Sequence, residues 1–302
     1  MFFSKFERLV ARRYLKAKRR EGFISVITGF AFTGIALGVA TLIIVMSVMN
    51  GFRHELLSRI LGINGHIGIM AVAGVPFNNY PEAVREIGTF EHVQTVIPMI
   101  ERQLLVSSGT TAEGAMVRGI AKEDLLKKKI LKDSLIHVDV DDFSGNNVIV
   151  GARLAQKMGL IPGDEITLIS PNGKVTAFGT VPRMKSYKII GTFEVGMYEY
   201  DSNFIFMPLA AAQTYFGMKG AVSNIDVTLD NDAHLREVRK AIEESVGAGA
   251  YIYDWKQTNS AFFNAIAVER NVMFIILTLI ILVAAFNIVT LSLIHISEPT
   301  RP

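Results

Sequence analysis

Two stretches of the chain contain no charged residue: Phe23 to Met49, over 27 positions, and Val272 to Ile294, over 23. A helix of about 20 apolar residues crosses the roughly 30 Å hydrocarbon core of a bilayer, so each stretch predicts a membrane-spanning helix. A buried helix of a soluble core is usually shorter and keeps a polar face. A secretory signal has an apolar run of only about 7–15 residues, closed by small residues at a cleavage site. The first stretch instead runs on into Val48-Met49-Asn50-Gly51-Phe52, so an uncleaved anchor is expected. Gly34-x-x-x-Gly38, followed by Ala40, gives that span a small-residue face on which another helix can pack closely.

Between the spans the pattern alternates. Strand-like runs fall at 66–72, 93–97, 103–107, 115–120, 147–150, 165–170, 187–195, 203–207 and 225–229. Helix-like runs fall at 81–88, 122–132, 152–158, 209–216 and 233–246, the last with Asp232 as N-cap and Gly247 as its stop. Mixed order of this kind predicts an α+β domain of two lobes. Gly151 to Leu168 reads as helix, glycine stop, Pro-Gly-Asp turn and strand. Residues 258–294 lack Pro and Gly and read as one continuous helix, a stalk that leads into the second span. The expected organisation is a basic amphipathic segment at 1–22, a span at 23–49, an α+β domain at 50–265 with a protruding loop at 171–185, a second span at 266–294, and a tail at 295–302.

Charge orients this arrangement. Residues 1–22 carry eight Lys/Arg against Glu7 and Glu21, whereas residues 53–270 carry 22 Lys/Arg and 25 Asp/Glu. A short basic flank stays in the cytoplasm, so the large domain is expected outside. The basic surplus lies where anionic headgroups attract it, and no nucleic-acid partner is needed to explain it.

Reactive chemistry is sparse. The absence of cysteine excludes disulfides, thiol catalysis and Cys-type metal sites. No phosphate-binding glycine loop with Lys-Ser/Thr and no nucleophile elbow occurs. The six histidines show no ligand spacing, and Asp139-Val-Asp-Asp142 lacks the ligands of a calcium loop and reads as a solvated turn. No catalytic, cofactor or metal site is expected, and the chain does not read as an enzyme. The fifteen residues from Pro171 to Lys185 exceed what a hairpin connection needs. Phe178, Val181 and Met184 would be costly to expose without a partner, while Arg183 and Lys185 add charge. This loop is expected to grip another protein.

Several of these segments carry a family likeness: Arg12-Arg13-Tyr14, Ser47-Val-Met-Asn-Gly-Phe52, the Gly151–Asp164 motif, Pro182-Arg183, Val268-Glu-Arg-Asn-Val-Met273 and Ala284-Ala-Phe-Asn-Ile288. With them the chain resembles the permease subunits of the lipoprotein-releasing ABC transporters of Gram-negative bacteria, within the FtsX/MacB-like superfamily. The resemblance implies a multi-pass inner-membrane subunit with a MacB-like periplasmic core, paired with a second permease and a cytoplasmic ATPase dimer. Such a complex draws lipoproteins from membrane lipid and passes them to a periplasmic carrier. It further implies a carrier-binding loop at Phe178, Pro182, Arg183 and Met184, and an acyl-chain cavity at Val45, Val48, Met49, Phe262, Asn271 and Met273. The chain departs from the family after Asn287-Ile288. There Leu291-Ser-Leu-Ile-His-Ile-Ser-Glu-Pro-Thr-Arg-Pro302 resembles non-native read-through, so the ATPase-coupling half is expected to be missing. Two alternatives are a related mechanotransmission permease, serving antibiotic export or cell-wall hydrolase activation, and the sensor half of a two-span receptor.

Overall fold

In the computed structural model each uncharged stretch lies within one long helix, α1 (Gly22–Asn64) and, at the other end of the chain, α10 (Ser260–Ser297). The structure describes residues 22–72, 75–109, 111–176 and 179–297, with 6–7 and 9–10; most of the basic segment and residues 298–302 lie outside them. Both helices are long and apolar enough to cross a membrane, and their apolar windows are not buried within the chain. The chain divides into two compact units, one of residues 1–54 and 260–302, the other of Glu55–Asn259.

Within the helical unit four hydroxyls of the spans are satisfied locally. Thr33, Thr41, Thr278 and Thr290 each donate to the carbonyl four residues earlier, at 2.7–2.9 Å. In hydrocarbon no water can take those hydrogens, so this back-bonding is what allows a hydroxyl there. Gly34 and Gly38 face the chain's own second span: with Phe30 and Ile35 they line an apolar groove of about 290 Å³ opposite Leu279, Ile280 and Val283.

Among the described residues the second unit is built on ten strands. They are β1 (Ile67–Ala71), β2 (Val93–Ser107), β3 (Ala112–Ile120), β4 (Leu135–Ile136), β5 (Asn147–Gly151), β6 (Glu165–Thr176), β7 (Gly179–Phe193), β8 (Phe204–Pro208), β9 (Asn224–Leu229) and β10 (Ala250–Asp254). Six of them close on themselves in the order β2-β3-β8-β5-β7-β6, because β6 returns to pair Leu105–Ser107 of β2. The other half of β2 pairs β9, which leads on to β1 and β10. A closed ring of strands and an open sheet therefore share one fifteen-residue strand.

Around them lie α2 (Tyr80–Ile87), α3 (Lys122–Lys127), α4 (Lys129–Asp133), α5 (Ala152–Met158), α6 (Tyr198–Asn203), α7 (Leu209–Phe216), α8 (Leu235–Val246) and α9 (Trp255–Thr258). Ile63 near the end of α1 belongs to one buried cluster with Ile97, Met99, Ile120, Leu125, Ile149, Phe193 and Phe206.

Four expectations are corrected. The runs at 93–97 and 103–107 are one strand, since the intervening residues also pair. The helix expected over 122–132 breaks at Lys128, whose extended backbone separates α3 from α4. Asp232 is not the N-cap; Asn231 caps a 3-10 turn at Asp232–His234, its side chain accepting from the Ala233 N–H at 2.9 Å. Residues 171–176 and 179–185 are not a loop but the outer ends of β6 and β7, which pair with each other.

The glycine stop at Gly159 holds φ +67°, the left-handed cap expected of it. Gly151 matters for space, because a Cβ there would lie 2.3 Å from the Asp201 carbonyl oxygen, a backbone atom with little freedom to move. Gly151→Ala is expected to cost about 1–3 kcal/mol as overpacking, measured as a lower melting temperature. An unchanged melting temperature would mean that α6 yields.

Candidate functional site

The α+β unit buries the end of a helix together with three charges, Arg118, Lys128 and Asp226, with Glu101 half-buried beside them. The last turn of a helix leaves carbonyls without intrahelical donors, at the negative end of its dipole. In α1 the Ile63 carbonyl accepts from Lys128 Nζ at 2.7 Å and from Arg118 Nη1 at 3.1 Å. Lys128 also donates to Asp226 at 2.7 Å, and Arg118 donates to Asn64 Oδ1 at 2.9 Å and Glu101 at 3.2 Å. Gly65, at φ +71°, closes the turn through a 2.9 Å bond to the Leu61 carbonyl.

Arg118 and Lys128 are 3% and 6% exposed, so water screens these charges little. Burial pushes the Lys128 ammonium below its ordinary range and the Asp226 carboxyl above its own, with each partner opposing the shift. For Arg118 burial is outweighed by Glu101 and Asp226, which hold the guanidinium up and charged.

Beside this joint lies a cavity of about 480 Å³ whose polar lining includes Asn64, Glu101, Arg118, Asn224 and Tyr253. Burial raises the Tyr253 phenol to about 12, so it remains a hydrogen-bond donor rather than a base. The lining offers donors and acceptors, not an activated nucleophile. It can hold polar groups or water.

The second feature is the arm. Beyond Ser170 and Arg183 the strands β6 and β7 pair only with each other, through Lys174–Val181, Val175–Thr180 and Thr176–Gly179. Pro182 lies opposite the register shift between Ser170 and Lys174, where a strand can lack an N–H without losing a ladder bond. The root is clamped. Tyr215, buried near the end of α7, has its hydroxyl 2.9 Å from the Leu168 carbonyl and 3.0 Å from that of Arg183. Arg183 in turn donates to the Tyr215 carbonyl, placing a cation at the C-terminal end of α7.

The residues expected to bind a carrier thus separate. Arg183 is half-buried at the root, Pro182 and Met184 are exposed, and Phe178 lies outside the described residues. Val181 and Met184 are apolar and 57% and 63% exposed.

Of the residues expected to form an acyl cavity, Val45, Val48 and Asn271 are exposed and Met49 and Met273 half-buried; nothing is described of the Phe262 side chain. None lines the groove at Gly34 and Gly38. Val45 lies seven residues beyond Gly38, however, and Met273 seven before Ile280, the residue that a Cβ at Gly38 would meet at 3.7 Å. Seven residues make about two turns, so both positions continue the face of that contact.

The sequence profile of the MacB-like periplasmic core domain matches residues 28–245. The lipoprotein-releasing system transmembrane protein LolC of Neisseria meningitidis is 31% identical over 295 residues, 97% of this chain and 71% of that protein. LolC of Xylella fastidiosa is 32% identical over 96% of this chain and 70% of its own length. LolE of Haemophilus influenzae is 23% identical over 96% and 70%. Among solved structures, the periplasmic region of MacB from Actinobacillus actinomycetemcomitans aligns at a TM-score of 0.42 and 13% identity, over 68% of this chain and 96% of that one.

Lys128→Met would leave Asp226 buried without its ammonium partner and remove one donor from Ile63. A loss of about 3–5 kcal/mol is expected in denaturant unfolding, as for other buried pairs broken on one side. The double variant Lys128→Met/Asp226→Leu should lose less than the single one. Equal stability of Lys128→Met and the unaltered protein would show that the joint is solvated.

Proposed function

This chain belongs to the MacB-like periplasmic core domain family, and from that premise we propose that it is a permease subunit of an ABC transporter releasing lipoproteins from the inner membrane. The observation that carries this reading is the kinship to LolC-type proteins across nearly the whole chain, at 31–32% identity. The subunit is a membrane protein whose two apolar helices flank the α+β domain. It pairs with a second permease and with a cytoplasmic ATPase dimer that supplies the hydrolysis; the subunit itself is not catalytic. The lipoprotein's acyl chains lie along the helix face that runs from Gly38 and Ile280 towards Val45, Met49 and Met273. Methionine suits such a face, being flexible enough to fit chains of different shape.

The arm between Ser170 and Arg183 captures a periplasmic lipoprotein carrier. A two-stranded ribbon alone is only marginally stable in water, so a clamped root and an outer half paired only with itself suit a segment that completes itself on a partner. Val181 on the arm and Met184 at its root are the exposed apolar contacts, Pro182 limits the freedom lost on binding, and Arg183 holds the root.

Replacing Lys174–Val181 by an Asn-Gly turn keeps Arg183 and the Tyr215 clamp. Titration of the purified full chain with the carrier should then show capture reduced at least tenfold, with the melting temperature nearly unchanged. Met184→Ala alone should cost about 1–2 kcal/mol of binding, as a contact near the centre of a small interface. Undiminished capture by the shortened arm would remove the carrier from this reading and leave the kinship standing.

A further inference from the structure

We propose that His92, Asp230 and His234 form a binding site for a divalent transition metal of the zinc type at the shared end of β2 and β9. The three residues are 138 and four positions apart in sequence, and the fold brings them together. His92 immediately precedes β2 and Asp230 immediately follows β9, whose Val93 and Leu229 are paired. The Asp230 N–H donates to the His92 carbonyl at 3.0 Å, and His234 closes the 3-10 turn that leads into α8. One ligand atom from each residue lies within 4.8 Å of the other two. Two imidazoles and a carboxylate are a donor set that zinc accepts, with water or a further carboxylate as fourth ligand.

Three further observations point the same way. His92 Nδ1 lies 3.0 Å from Asp230 Oδ2, which fixes the ring and the carboxylate side by side. His92 holds φ +69° although it carries a side chain, a conformation that costs on the order of 1–3 kcal/mol and tends to persist where function requires it. Two outer carboxylates balance an added charge: Glu91 is 3.9 Å from His92 Nε2, and Glu237 is 3.8 Å from His234 Nδ1.

The geometry also states what binding requires. The two imidazole rings are stacked, with centroids 3.4 Å apart and planes 5° from parallel. A metal lies in the plane of each imidazole that holds it, so one ring must turn out of the stack. His234, on a short turn and one-third exposed, is placed to do so. Around a tetrahedral ion with bonds near 2.0–2.1 Å the ligand atoms stand roughly 3.3 Å apart, so the separations of up to 4.8 Å need close by at most about 1.5 Å. Binding would tie together the turn after α2, the end of β9 and the start of α8.

The test uses the full chain in detergent, stripped with EDTA and titrated calorimetrically with zinc chloride. One equivalent is expected to bind, with a rise in melting temperature. His234→Gln, Asp230→Asn and His92→Asn, the last chosen because Asn tolerates a left-handed backbone, should each weaken binding at least tenfold while leaving the zinc-free melting temperature nearly unchanged. Absence of saturable binding, or equal affinity in the three variants, would overturn the site and leave a stacked histidine pair that only shapes a turn. Should the variants fail to fold, the unaltered chain loaded with cobalt(II) decides. Strong visible bands of a four-coordinate ion support the site, and the weak spectrum of an octahedral one overturns it.

Discussion

A helix that ends in a protein interior must find donors for its last carbonyls, and water cannot supply them. Here two buried cations meet at the carbonyl of Ile63. Lys128 and Arg118 arrive from opposite sides of the chain's chemistry: one interrupts a helix between α3 and α4, the other projects from β3. Each brings its own counter-charge, Asp226 on β9 and Glu101 on β2. The joint therefore connects α1 to both the closed ring and the open sheet through charge. An apolar plug could match its volume at lower desolvation cost, but it could not answer the carbonyl. Ile63, packed into the core, holds that carbonyl where the cations can reach it.

The arm repeats this logic on a smaller scale. Its root has the side chain of Tyr215 on two backbone carbonyls and the guanidinium of Arg183 on a third. Farther out, the strands have only each other. A rigid root with an incomplete outer half lets a segment bind without carrying the entire entropy of a free loop.

Much of the fold was legible, because apolar runs and turn residues act over a few positions. The two spans, α5 with its glycine stop, α7 and most strands follow from such runs. Longer-range features did not show. The extended ends of β6 and β7 looked like a loop because Pro171 and Pro182 interrupt the alternation, whereas the register shift opposite Pro182 accommodates what the pattern could not. The short helix α6 is held by Asp201, whose carboxylate accepts from the Val195 and Gly196 N–H groups at 2.8 and 3.1 Å, a contact with no local signature. The Lys128–Asp226 pair spans 98 residues, and in sequence each reads as an ordinary surface charge. Arg183 looked like a charge for a partner, but half of it faces α7.

The sharing of β2 limits how the α+β unit can deform. Fifteen extended residues span about 50 Å, and this one strand is a stave of the ring along one half and a member of the open sheet along the other. No seam of side chains separates the ring from the sheet along it. Any displacement of one against the other must bend that strand or shear its backbone ladder, many hydrogen bonds at once. A force applied at either end of β2 consequently reaches both the ring and the open sheet along covalent bonds.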